Sequence, residues 1–116
     1  MVKVNTRGKG LGIVFPQKYK CVLMAWLLGN PKLRVKSRRA WEYVNEQIAP
    51  ETVSRASVIN FLNDEGVDEG YLQYDEDTGK GGFHRVYNAK MDIDGFWRYV
   101  SEEVTHALAP FLTGQA

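Results

Sequence analysis

Cysteine is almost absent from this chain, with Cys21 standing alone among 116 residues. A lone thiol excludes an internal disulfide. No second thiol or histidine cluster near it completes a metal site. Cys21 lies in an apolar stretch and reads as a buried thiol in a reducing, cytoplasmic setting. Histidine is nearly as scarce: His84 and His106 fall in different segments, with no metal-ligand spacing between them. The run Gly79-Lys80-Gly81-Gly82 lacks the residues and the strand-to-helix setting of a nucleotide-phosphate loop. Carboxylates are plentiful, but none sits in an apolar cluster that would raise its pKa. The expectation is a protein without catalysis, metal or cofactor. No apolar run approaches the length of a membrane span, so no membrane partner is expected. The first 15 residues carry Lys3, Arg7 and Lys9, and lack the apolar region of a secretory signal.

Acidic residues are also missing, but only from the first half. Residues 1–49 hold ten Lys or Arg against Glu42 and Glu46, a net +8, while residues 50–116 carry a net −7. The overall charge of +1 hides this division. One half can face a polyanion while the other stays solvated or meets a protein. The plainer alternative is that the two halves neutralise each other within the fold.

A chain of this length, 44% hydrophobic and 25% charged, fits one globular domain with a modest core. Residues 1–15 read as a basic, flexible arm containing Gly8, Gly10 and Gly12, with Leu11 to Phe15 a weak strand candidate. Pro16 suits the first position of a helix, and Tyr19, Val22, Leu23, Trp26 and Leu27 recur at helical spacing behind it. Gly29, Asn30 and Pro31 end that run. The linker Lys32 to Lys36 is strongly basic. Ser37 is a candidate N-cap for a second helix carrying Ala40, Trp41, Val44 and Ile48, stopped by Pro50. Ser54 caps a third, with Val58, Phe61 and Leu62 on its apolar side and Arg55, Ser57 and Asn60 on another. Asp64, Glu65, Asp68 and Glu69 follow, where they would repel phosphate, so any duplex should meet the front of this helix. Tyr71, Leu72 and Tyr74 suggest a strand. Asp75 to Gly82 reads as a long turn, and Phe83 to Asn88 alternate as a returning strand. Asp92 or Asp94 opens a last helix with Ile93, Phe96, Trp97, Val100, Val104, Leu108 and Phe111 at helical spacing.

Helix, helix, helix, hairpin, helix is the order of a winged helix-turn-helix. The fold class expected is α+β: a three-helix core, a two-stranded wing and a C-terminal helix. The boundaries are an arm at 1–15, a winged-helix domain at 16–91 and a last helix with tail at 92–116. The stretches Val53-Ser54-Arg55-Ala56-Ser57-Val58, Phe61-Leu62 and Asp68-Glu69-Gly70-Tyr71-Leu72 resemble the recognition helix and first wing strand of one family. That family is the winged-helix transcriptional regulators of the penicillinase-repressor and multiple-antibiotic-resistance-repressor kind. Thr78-Gly79-Lys80-Gly81-Gly82-Phe83-His84-Arg85-Val86-Tyr87 resembles their wing and return strand. The resemblance spans residues 16–111 and is strongest over 53–87. It implies a repressor-type homodimer on a partly palindromic operator.

Groove chemistry assigns the contacts. Arg55 can reach a guanine edge and Asn60 an adenine edge, while Ser57 reads a base or touches phosphate. Ser54 is chiefly a cap at the same helix front. Ser37, Arg38 and Arg39 begin the second helix, where a backbone contact positions the duplex. Lys80 at the wing tip is a phosphate or minor-groove candidate, and Arg85 is favoured over His84 on the return strand. The expected dimer interface is Phe96, Trp97, Val100, Val104, Leu108 and Phe111. The alternative is a monomer whose last helix folds over the first, with Trp97 against Trp26. Two rival functions keep the same fold: a protein-interaction module, and an architectural module that binds DNA without sequence preference. No effector ligand can be named from the residues.

Overall fold

The computed structural model describes residues 10–79 and 82–112, with side chains for all of these except 79, 83 and 108–112. The architecture is α+β. A short 3-10 turn at Gly10–Ile13 leads to α1 (Lys18–Gly29), β1 (Val35–Lys36) and α2 (Ser37–Ile48). Helix α3 (Arg55–Asn60) runs on as a π-helical segment, Phe61–Val67. Strands β2 (Leu72–Gly79) and β3 (Gly82–Ala89) and helix α4 (Ile93–Leu112) complete the chain. The sheet is antiparallel in the order β1-β3-β2.

Phe15 organises the centre of the core. Its ring meets Phe61, Tyr71 and Phe96 at centroid distances of 5.7, 5.6 and 5.9 Å. Residues from the N-terminal segment, the π-helical segment, the turn before β2 and α4 thus close one aromatic cluster. Leu23, Met24, Leu27 and Leu28 of α1 and Ala40, Val44 and Ile48 of α2 are buried around it. The expectation of a flexible arm through residue 15 therefore fails at its C-terminal end. Phe15 has more apolar area to bury than the neighbouring glycines have freedom to keep. Helix α1 starts at Lys18, with Gln17 as its cap position, two residues later than Pro16.

The basic linker contains a strand. Val35 pairs with Tyr87 and Lys36 with Val86, giving β3 a second neighbour. Strand pairing in the hairpin runs unbroken from Leu72↔Ala89 to Gly79↔Gly82. The expected long turn at Asp75 to Gly82 is therefore mostly strand. Asp75, Glu76 and Asp77 have poor strand propensity, but they lie exposed on the outer strand of the sheet, where charge is tolerated and discourages edge pairing.

Two glycines are required where helix three gives way to β2. A Cβ on Gly66 would lie 2.5 Å from Leu72 Cδ1, and Gly70 has φ +89° beneath the Tyr99 hydroxyl. That hydroxyl donates to the Glu69 carbonyl at 2.7 Å and pins the turn against α4. Helix α4 is capped by Asp92, whose Oδ1 accepts from Gly95 N at 2.8 Å. Phe96 is fully buried and Val100 nearly so. Both belong to this chain's own core, which corrects their assignment to a dimer surface: Phe96 is part of the aromatic cluster and Val100 is buried beside other core residues. Trp97 packs edge-on to Phe96 at 5.1 Å, and Trp26 stacks on Tyr43 at 3.8 Å, so the Trp97–Trp26 pair of the monomer alternative does not form, although α4 does pack against α1.

Candidate nucleic-acid interface

The α2–α3 corner is fastened by side chains. Asn45 Oδ1 accepts from Val53 N at 2.9 Å, and Trp41 Nε1 donates to the Val53 carbonyl at 2.9 Å. These bonds satisfy the chain just before α3 and fix its entry angle. Ser54 then caps the helix, its Oγ accepting from Ser57 N at 3.1 Å. The two hydroxyls lie 2.8 Å apart, so Ser57 is engaged locally and Ser54 is the cap foreseen. Ser37 is not a cap: α2 begins at Ser37 itself, with Lys36 at the cap position and no side-chain bond there.

Arg55, Ala56 and Asn60 are exposed along the first turns of α3. Arg55 forms no ion pair with any described residue. The two arginines of α2 are engaged. Arg38 Nε lies 3.3 Å from Glu42, and Arg39 Nη1 lies 3.6 Å from Glu46, with its guanidinium 5.5 Å from the Trp26 ring. Both remain at least half exposed, and such pairs hold weakly in water. Lys80 lies outside the described residues. Leu108 and Phe111 fall within α4, but their side chains do too.

Arg85 is placed differently from expectation. Its Nη1 donates to Asn63 Oδ1 at 2.8 Å, and its guanidinium lies 4.1 Å from the Tyr74 ring centroid. The Tyr87 hydroxyl donates to the same Asn63 oxygen at 2.7 Å. Burial pushes the Tyr87 pKa up, opposed by the Arg85 and Asn63 contacts. Asn63 was not singled out in the sequence. It sits past the apolar run of helix three, and only the π-helical turn aims it at β3.

Charge is distributed less simply than the two halves suggest. Arg34 reaches Asp75 at 2.8 Å and Lys36 lies 3.9 Å from Asp77. Lys20 pairs with Glu65, over the Phe61 ring. Among the described residues, these three pairs join the basic half to the acidic half, as the plainer alternative expected. The negative charge also begins close to the front of helix three. Asn60 and Asp64 line one cleft of about 220 Å³ with Tyr19, Lys20, Ser57 and Glu65. Asp64 is exposed there, nearer to Asn60 than a clean division of the helix would place it.

Cys21 is half-buried, and burial raises its pKa, which favours the thiol over the thiolate. Among the described residues, no group of three or more His, Cys, Asp or Glu side chains can hold a metal ion, and no helix is long and apolar enough to cross a membrane. No protein-family model, curated protein or solved structure matches this chain.

Proposed function

We propose that this chain is a winged helix-turn-helix protein that binds double-stranded DNA in a sequence-specific way and regulates transcription. The observation that carries the reading is the front of α3: a Ser54-capped helix end, exposed, with Arg55 held by no described ion pair. An unengaged arginine at a helix front is free to read a guanine edge. The element order, with β1 added to the sheet between α1 and α2, suits the same reading. So does the resemblance of residues 53–87 to the penicillinase-repressor kind. In this reading Arg55 and Asn60 contact bases, with Ser57 at their side. Ser37, Arg38, Arg39 and Lys80 hold backbone, the arginines by exchanging Glu42 and Glu46 for phosphate. The functional unit is a homodimer joined along α4.

Selection of bound sequences from a random duplex pool tests this. A two-fold symmetric motif is expected. Enrichment of no sequence, with equal binding to every duplex, would replace specific reading with architectural binding.

One observation favours a second reading. The outer strand β2 exposes Asp75, Glu76 and Asp77, and two of these already neutralise Arg34 and Lys36. An acidic wing edge suits a protein partner better than a phosphate backbone. A protein-interaction module would show no duplex affinity at low salt and no loss on replacing Arg55.

A further inference from the structure

One side chain joins helix three to the hairpin. Asn63 stands in the π-helical segment, half-buried, and its Oδ1 accepts from both Arg85 Nη1 and the Tyr87 hydroxyl. An amide oxygen has two lone pairs, and both are used here. Arg85 is held on its other side by the Tyr74 ring, and Tyr74 is the cross-strand partner of Tyr87. The Asn63 carbonyl is itself engaged, accepting from Asp68 N five residues on, so the wide turn fixes the backbone that carries the amide. Tyr87 is buried, and its hydroxyl needs an acceptor in place. The hairpin therefore cannot slide along the helix without breaking two bonds and uncovering a phenol.

We propose that Asn63 is a positioning residue for duplex recognition: it locks the hairpin to helix three so that both meet DNA as one body. Arg85 acts through Asn63 and not on phosphate. The inference rests on the DNA reading above. The Asn63 amide and the Tyr74 ring hold the Arg85 guanidinium against helix three and the hairpin, so its fixed contacts are within the fold. Asn60 lies just ahead of Asn63 in the same helix, so the lock also sets the angle at which Arg55 and Asn60 are presented. The α2–α3 corner and the Ser54 cap fix only the front of this helix, so without Asn63 its far end could rock against the hairpin, and base discrimination depends on that angle.

The test uses the full chain and the duplex recovered from the random pool, with a scrambled duplex as reference. Asn63→Ala should lower discrimination between the two by about fivefold or more, while affinity for the scrambled duplex stays within about twofold. Tyr87→Phe, which removes only the hydroxyl, should move discrimination in the same direction and serves if Asn63→Ala does not fold. Arg85→Ala should leave the salt dependence of binding unchanged, whereas loss of a phosphate contact would reduce the slope by about one. Without DNA, urea unfolding of the single and double variants of Asn63 and Tyr87 should show a coupling of about threefold or more in the folding equilibrium. Unchanged discrimination in both variants, a reduced slope for Arg85→Ala, or no coupling in the cycle overturns the positioning role while the DNA reading stands. A wild-type chain that binds no duplex overturns the DNA reading and the positioning role together, and preserved coupling would then mark the lock as purely structural.

Discussion

Arg55 and Arg85 are both exposed, yet their surroundings differ in kind. Arg55 has solvent and a helix end, while Arg85 has an amide oxygen and a tyrosine ring. The first is the side chain proposed to read a base, and the second is engaged within the fold. Replacing Arg55 by alanine should weaken the preferred duplex far more than random DNA, by roughly 1–3 kcal/mol of discrimination. Replacing Lys80 should weaken all duplexes alike and reduce the salt slope by about one. Competition binding across a salt series separates the two behaviours, and equal losses on both duplexes for Arg55 would remove it from the base-reading set. Titration gives a second residue-scale expectation. Burial raises the pKa values of Tyr19, Tyr71, Tyr87 and Tyr99 above their ordinary value of 10.0. A phenol that holds its proton more tightly when folded contributes stability that is fully present below the unfolded pKa. That stability is lost as pH rises through the folded value. Denaturant unfolding should therefore show stability falling above about pH 10. Tyr71→Phe should flatten that fall, because Tyr71 is the most strongly shifted of the four. A pH-independent midpoint from pH 9 to 11, on the order of the unperturbed phenol range, would contradict it.

At the scale of elements, sequence reading found the long helices because apolar spacing is a strong signal. Ser54 and Asp92 marked two starts because a cap needs a short polar side chain at one position. Strand β1 was invisible for the opposite reason: two residues carry no periodicity, and Val35 and Lys36 become a strand only through pairing with β3. The length of β2 was hidden by Asp75, Glu76 and Asp77, whose strand is imposed by register and by cations arriving from β1. Those cations give an element-scale prediction. Asp75→Asn with Asp77→Asn should free Arg34 and Lys36, raise affinity for any duplex and steepen the salt slope by up to about two. Stability should change by less than about 1 kcal/mol, because both pairs are exposed. An unchanged slope would mean that this sheet face stays away from DNA. The turn between helix three and β2 is less forgiving. Gly70→Ala should cost at least about 1 kcal/mol in urea unfolding, since φ +89° is strained for any side chain and the new methyl would crowd Tyr99.

For the whole molecule, the open question is what α4 does beyond the core. The helix has 20 residues and spans about 30 Å at 1.5 Å per residue. In its first half Phe96 joins the aromatic cluster, Val100 is buried in the core, and Tyr99 holds the Gly70 turn. Val104, one turn further on, still packs against the core. Val104 is half-buried, and in the sequence Leu108 and Phe111 follow it at spacings of four and three, a helical spacing whose last two side chains lie outside the described residues. In the homodimer reading proposed above, a second copy would cover this spacing of apolar residues, and a two-fold pair would present two α3 fronts to adjacent major grooves. Sedimentation equilibrium at micromolar concentration is expected to report a mass near twice 13.2 kDa. Val104→Asp with Leu108→Asp should give a monomer that keeps its helical signal and binds the selected duplex weakly. Val100 is unsuited to this test, because a charge there would enter the core and unfold the chain. The wild-type chain remaining monomeric, both free and at one copy per duplex site, would assign the stripe to the chain itself and leave a single α3 to supply all base contacts.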